Sequence, residues 1–125
     1  MKTLRSLLLL APLGFVSLSA QNIVRGPYLQ QGTPESVVVR WRTDVPTDSA
    51  VRFGADAAKL DQEAKTKWKT TEHVMILEGL SPSTKYHYAV GNAAATIGGE
   101  AGAGSFTTSP KPGTRQPIRT WVIGD

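Results

Sequence analysis

From residue 36 to residue 108 apolar and polar side chains alternate with a period of two, in short stretches broken by glycine, proline, serine and aspartate. Val37, Val39 and Trp41 alternate with Ser36, Val38, Arg40 and Arg42, the signature of a strand with one buried face. Ala50–Gly54 repeats it with Val51 and Phe53 inward, and His73–Leu77 carries Met75 and Leu77 in phase with Leu80. Tyr86, Tyr88 and Val90 then face inward while Lys85 and His87 face out, and Ser105–Thr108 resumes an extended run through Phe106. Ahead of these lies an extended opening, Gln21–Gln31, in which Pro27 tolerates only an edge or strand-start position. The connections read as a turn at Gly32–Glu35, a loop at Asp44–Asp48 and a helix or loose connection over Ala55–Ala64, where Leu60 is the one strong anchor. Lys67–Thr71 reads as a short edge strand guarded by lysines, and Gly91–Gly104 as a loop of small residues. Short strands with frequent turns and no helical period predict an all-β antiparallel sandwich.

The corner of that sandwich is Leu80-Ser81-Pro82-Ser83-Thr84-Lys85-Tyr86. Pro82 fixes φ, the hydroxyl residues suit a turn, and Tyr86 at the head of the next strand can bury its ring and return its hydroxyl to the corner's backbone. Trp41, the Leu80-x-Pro82-x-Thr84-x-Tyr86 corner and a count of seven strands resemble a fibronectin type III domain over about Pro27–Thr108. The resemblance implies an immunoglobulin-like sandwich and is silent on activity, because that fold hosts many unrelated roles.

The ends differ from the middle. Lys2 and Arg5, an apolar run from Leu7 to Val16 and the small residues Ser17, Ser19 and Ala20 form the pattern of a cleavable signal helix over residues 1–20. That run falls short of the roughly 20 apolar residues a membrane-spanning helix needs, so no stable membrane anchor is expected. Secretion or export to a periplasm follows. At the other end, Ser109–Pro117 holds three prolines and a glycine and reads as a semi-rigid linker, residues 109–117. Ile118–Ile123 then reads as a new strand, so residues 118–125 look like the truncated start of a second domain after a sandwich over residues 21–108.

Without Lys2 and Arg5 the chain of 125 residues keeps twelve basic and ten acidic side chains, a net charge of +2. The cations are spread along strands rather than gathered in a block, so no nucleic-acid partner is implied. The absence of cysteine removes disulfides, thiolate metal sites and cysteine nucleophiles together.

Candidate chemistry lies in Gly124-Asp125, since a carboxylate directly after a buried strand and a glycine can hold a hard cation. In order along the chain stand Arg25-Gly26-Pro27-Tyr28-Leu29-Gln30, Val39 to Asp44, Val51-Arg52-Phe53-Gly54, the corner with Tyr86-His87-Tyr88, the proline linker and Trp121-Val122-Ile123-Gly124-Asp125. Together they resemble the start of a purple acid phosphatase, a family in which a fibronectin-like domain precedes a calcineurin-like metallophosphoesterase domain. The resemblance implies a parent that hydrolyses phosphate monoesters with binuclear iron or iron with zinc or manganese, and a metal-ligand role for Asp125. It implies the C-terminal catalytic domain as partner and an inactive 125-residue piece, because the family's further ligand motifs are absent. Two alternatives stand beside it: another metallophosphoesterase, a nucleotidase or phosphodiesterase, and a non-enzymatic adhesion or carbohydrate-binding module.

Other residues weigh less. His73 and His87 fall on strands in opposite phases, so they read as strand histidines and not as shared ligands. No Gly-x-Ser-x-Gly elbow accompanies the serines, and the loop Gly98–Gly104 lacks the lysine and hydroxyl of a phosphate loop. Trp68 between Lys67 and Lys69 covers an edge strand or stacks on a sugar ring. Val38, Val74 and Ile76 point outward together and form either an apolar patch that docks the catalytic domain or ordinary β-branched surface.

Overall fold

The computed structural model describes residues 21–97, 102, 104–117, 122 and 124. The signal pattern over 1–20 and Asp125 lie outside the described residues, as does the strand expected over 118–123 apart from Val122. Among the described residues there are five antiparallel strands: β1 (Ile23–Gln30), β2 (Val37–Gly54), β3 (Gln62–Leu77), β4 (Lys85–Gly91) and β5 (Gly104–Thr107). The all-β antiparallel sandwich read from the sequence is what forms.

Seven expected strands become five because β2 and β3 each serve both layers. The first half of β2 lies between β1 and the second half of β3, with Val38 opposite Gln30 on one side and Ile76 on the other. Its second half lies between the first half of β3 and β4, with Val51 opposite Ala64 and Val90, and β4 pairs β5. Asp44–Asp48 is therefore not a loop. Between the pairs Arg42↔Glu72 and Thr47↔Thr70 four residues of β2 face only Thr71, and between Thr47↔Thr70 and Ser49↔Thr66 three residues of β3 face only Asp48. Unequal insertions of this kind bend a strand pair without breaking it, and Pro46 sits where no ladder donor is needed. Lys67–Thr71 and His73–Leu77 are accordingly one continuous edge strand and not two.

Ala55–Ala64 holds no helix. Asp56 accepts the Ala58 N–H at 2.9 Å on its side chain and the Lys59 N–H at 3.1 Å on its carbonyl, closing a turn before β3 begins. An aspartate that captures nearby backbone donors competes with helix formation, and the half-buried Leu60 alone supplies no apolar stripe. Pro27 lies on the edge strand β1, in a bulge where Gly26 and Pro27 face only Trp41, so its missing donor costs no ladder bond. Gly26 takes φ +85°, and a Cβ there would meet the Arg40 carbonyl at 2.9 Å.

Val37, Val39, Trp41, Met75 and Leu77 from one layer meet Val51, Phe53, Tyr86, Tyr88 and Val90 from the other in one core, closed by Leu80. Every inward residue read from the alternation lies there or, as Phe106 does, against it.

Candidate functional site

Three places gather polar or exposed apolar side chains that a bare sandwich would not need. The first is the corner. Leu80 is buried and donates its N–H to the Glu35 carbonyl at 3.0 Å, and Pro82 then turns the chain toward β4. The buried Tyr86 accepts the Ser81 N–H on its hydroxyl at 3.0 Å, as its position at the strand head implies. The sequence reading missed Thr108. Buried directly after β5, its Oγ1 donates to the Ser81 carbonyl at 2.6 Å and accepts the Thr84 N–H at 2.9 Å. Thr108 alternates in phase with Phe106, which was the available signal.

The second is a polar pocket in the core. His73 is 1% exposed, and its ring stacks on Trp41 with centroids 4.6 Å apart and planes 6° from parallel. Its Nε2 lies 2.9 Å from Thr43 Oγ1 and its Nδ1 2.7 Å from Ser49 Oγ. The Thr43 hydroxyl spends its proton on the Val45 carbonyl at 2.8 Å, so at His73 it can only accept. The proton of the neutral ring is thus on Nε2, and Ser49 donates to Nδ1. Burial pushes the His73 pKa below its ordinary 6.5, against the pull of Glu72 and Asp48. Both nitrogens are occupied and the ring is neutral. It is a core histidine that fills the bend of β2, in phase with Met75 and Leu77 as expected. The Trp41 Nε1–H is buried without a hydrogen-bond partner among the described residues, a cost offset by the area its ring buries.

His87 lies on the opposite side of the second layer, half buried, with Nδ1 3.2 Å from the Gly102 carbonyl. The two histidines therefore share no site. Among the described residues no three of His, Cys, Asp or Glu come close enough to hold a metal ion. The described residues therefore do not themselves fit a binuclear centre, and Asp125, the ligand implied by the sequence, lies outside them.

The third place is the outer face of the β1–β2–β3 layer. Val38, Arg40 and Arg42 point away from the core, flanked by Gln30, Tyr28 and Arg25 of β1 and by Ile76, Val74 and Glu72 of β3. Val38 is only 9% exposed and forms the floor of this face, whereas Val74 and Ile76 are 47% and 56% exposed. Arg25 lies over the Tyr28 ring at 5.6 Å, Arg40 donates to Gln30 Oε1 at 3.2 Å, and Arg42 pairs with Glu72 at 3.0 Å. Tyr28 and the arginines extend the patch beyond the three residues the alternation singled out. Trp68 does not cover the edge strand. The residue is 83% exposed, in the stretch of β3 that bulges between the pairs with Thr47 and Ser49.

A family model described as "Purple acid Phosphatase, N-terminal domain" matches residues 25–108. No curated protein matches the chain. Among solved structures, a fibronectin type III domain of the human KIAA0970 protein is 20% identical with a TM-score of 0.53, over 83% of this chain and 85% of that one. The fn3 domain of human contactin 1 is 20% identical with a TM-score of 0.50, over 79% and 90%. The sensor domain of the anti-sigma factor RsgI4 in Pseudobacteroides cellulosolvens is 14% identical with a TM-score of 0.50, over 75% and 99%. At these identities the likeness speaks for the fold alone.

Proposed function

The chain belongs to the family of purple acid phosphatase N-terminal domains, and from that membership we propose that it is the non-catalytic companion of a metallophosphoesterase domain that follows in the same polypeptide. The observation that carries this reading is the span of the family match, residues 25–108, which runs from within β1 through the other four strands to Thr108 at the corner. The division proposed is a signal over 1–20, the sandwich over 21–108, a linker over 109–117 and the first strand of the catalytic domain over 118–125. The polypeptide is exported, to the periplasm or the medium.

In this reading the parent hydrolyses phosphate monoesters, with Asp125 as one ligand of a centre of iron with zinc, manganese or a second iron. Paired cations supply charge neutralisation at phosphorus and an acidified water. The residues of the sandwich take no part in that step. His73 is neutral and enclosed by Thr43 and Ser49, and His87 is engaged by Gly102. Their work is to hold a rigid body beside the catalytic domain.

The test is sequence and activity beyond Asp125. Continuation into Gly-Asp-x-x-Tyr and Gly-Asn-His, with hydrolysis of p-nitrophenyl phosphate by the full-length polypeptide loaded with iron and zinc or manganese, is the expected result. The 125-residue chain with the same metals should give no turnover. A full-length polypeptide that cleaves only diesters would make it another metallophosphoesterase. A continuation without metal motifs would make the chain a binding module.

A further inference from the structure

Resting on that reading, we infer that the outer face of the β1–β2–β3 layer is where the polypeptide beyond the linker packs. The occupant is the following domain of the same chain, presenting an apolar surface rimmed by carboxylates. Tyr28, Val38, Val74 and Ile76 supply the apolar floor, and Arg25, Arg40 and Arg42 the rim.

Two features select this occupant. One is where the linker leaves the sandwich. Ser109 donates its N–H to the Thr33 carbonyl at 3.3 Å, and its own carbonyl accepts the Ser83 N–H at 3.1 Å. Lys111 and Pro112 then share a cleft with Thr33, Pro34 and Glu35. A turn closed by Thr114 N–H on the Lys111 carbonyl at 3.1 Å, with Gly113 at φ +84°, follows. The exit is tied to the turn that opens β2, and from Glu35 to Val38 the extended chain climbs only about 10 Å. Ile76 stands directly opposite Val38. The linker thus leaves the sandwich near the exposed end of the patch, and a short tether that starts there raises the local concentration of the patch and a following domain into the millimolar range.

The other feature is charge. Of the three arginines only Arg42 has a carboxylate partner among the described residues, Glu72. Arg25 and Arg40 are instead held in place by the Tyr28 ring and Gln30. An aromatic ring and guanidinium groups are side chains that interfaces favour, Val74 and Ile76 add apolar area beside them, and groups already ordered lose little entropy on docking. The complement they ask for is acidic and apolar.

Single thiols at positions 74 and 76 test the inference, since the chain has no cysteine of its own. Val74→Cys, Ile76→Cys and, as an exposed control on the bulge, Lys67→Cys are each placed in the 125-residue chain and in the full-length polypeptide. Maleimide labelling is followed by peptide mass analysis. The expected result is labelling at 74 and 76 at least tenfold slower in the full-length polypeptide, with equal rates at 67. Equal rates at 74 and 76 would overturn the inference. So would slow labelling in the 125-residue chain that recovers on dilution, which would mean that a second copy covers the face. Protection at 74 and 76 in a polypeptide without phosphatase activity would refute only the catalytic reading. Activity with free labelling would refute only the docking.

Discussion

Tyr86→Phe isolates one hydrogen bond. The Tyr86 ring packs against Phe106 with centroids 5.7 Å apart and against Phe53 at 6.4 Å, and phenylalanine keeps both contacts. What goes is the hydroxyl that accepts the Ser81 N–H at 3.0 Å. A net hydrogen bond between neutral groups is worth about 1 kcal/mol, and a buried donor left unpaired costs about 1–3 kcal/mol. The bond is only partly buried and Ser81 itself is exposed, so the lower figure applies. For a domain of this size about 1 kcal/mol lowers Tm by about 4–8 °C. Thermal unfolding of wild type and variant measures it, and amide exchange at Ser81 locates it. That amide should exchange faster in the variant while the β4 amides hold their relative protection. A Tm unchanged within about 1 °C, with Ser81 exchange unaltered, would refute the bond's role in fixing the corner.

The His73 pocket makes a pH prediction with a definite sign. Its pKa is lowered on folding, so the stability it lends is complete above the ordinary 6.5 and is lost as pH falls from there through the depressed folded value. A two-dimensional nitrogen–proton NMR titration should find His73 titrating below 6.5 with its neutral proton on Nε2; a midpoint at or above 6.5, or a proton on Nδ1, would contradict the network. Ser49→Ala strands the buried Nδ1 acceptor and should cost about 1–3 kcal/mol in denaturant unfolding, whereas a change near zero would mean Ser49 is not its donor. Gly104→Ala drives a methyl to 2.7 Å from the Tyr88 ring and should cost about 1–3 kcal/mol, while Gly32→Ala, with nothing within 4 Å, should fall within about 0.5 kcal/mol of wild type.

The core was legible because period-two alternation is a local property. Val37, Val39 and Trp41 declare their face without reference to anything distant, and so do Tyr86, Tyr88 and Val90. The bend was not legible, for the opposite reason. Asp44-Val45-Pro46-Thr47-Asp48 has the composition of a loop, and only its pairing with β3, some twenty residues on, shows that the chain stays in the ladder through unequal insertions. The polar pocket follows from the same bend. Thr43 and Ser49 sit on either side of it, and their shared partner on β3 cannot be found from either one alone. Val38 shows how a central position changes burial without changing face. It points outward as its phase requires, yet its neighbours on β1 and β3 cover it, while Ile76, opposite it on the edge strand, stays exposed. The same contrast bears on function. The inward-facing His73 has both ring nitrogens engaged by Thr43 and Ser49, so neither is free to bind a ligand. On the outer face of the β1–β2–β3 layer, by contrast, Val74 and Ile76 stay exposed beside Arg40 and Arg42, the composition on which the proposed docking of a neighbouring domain rests.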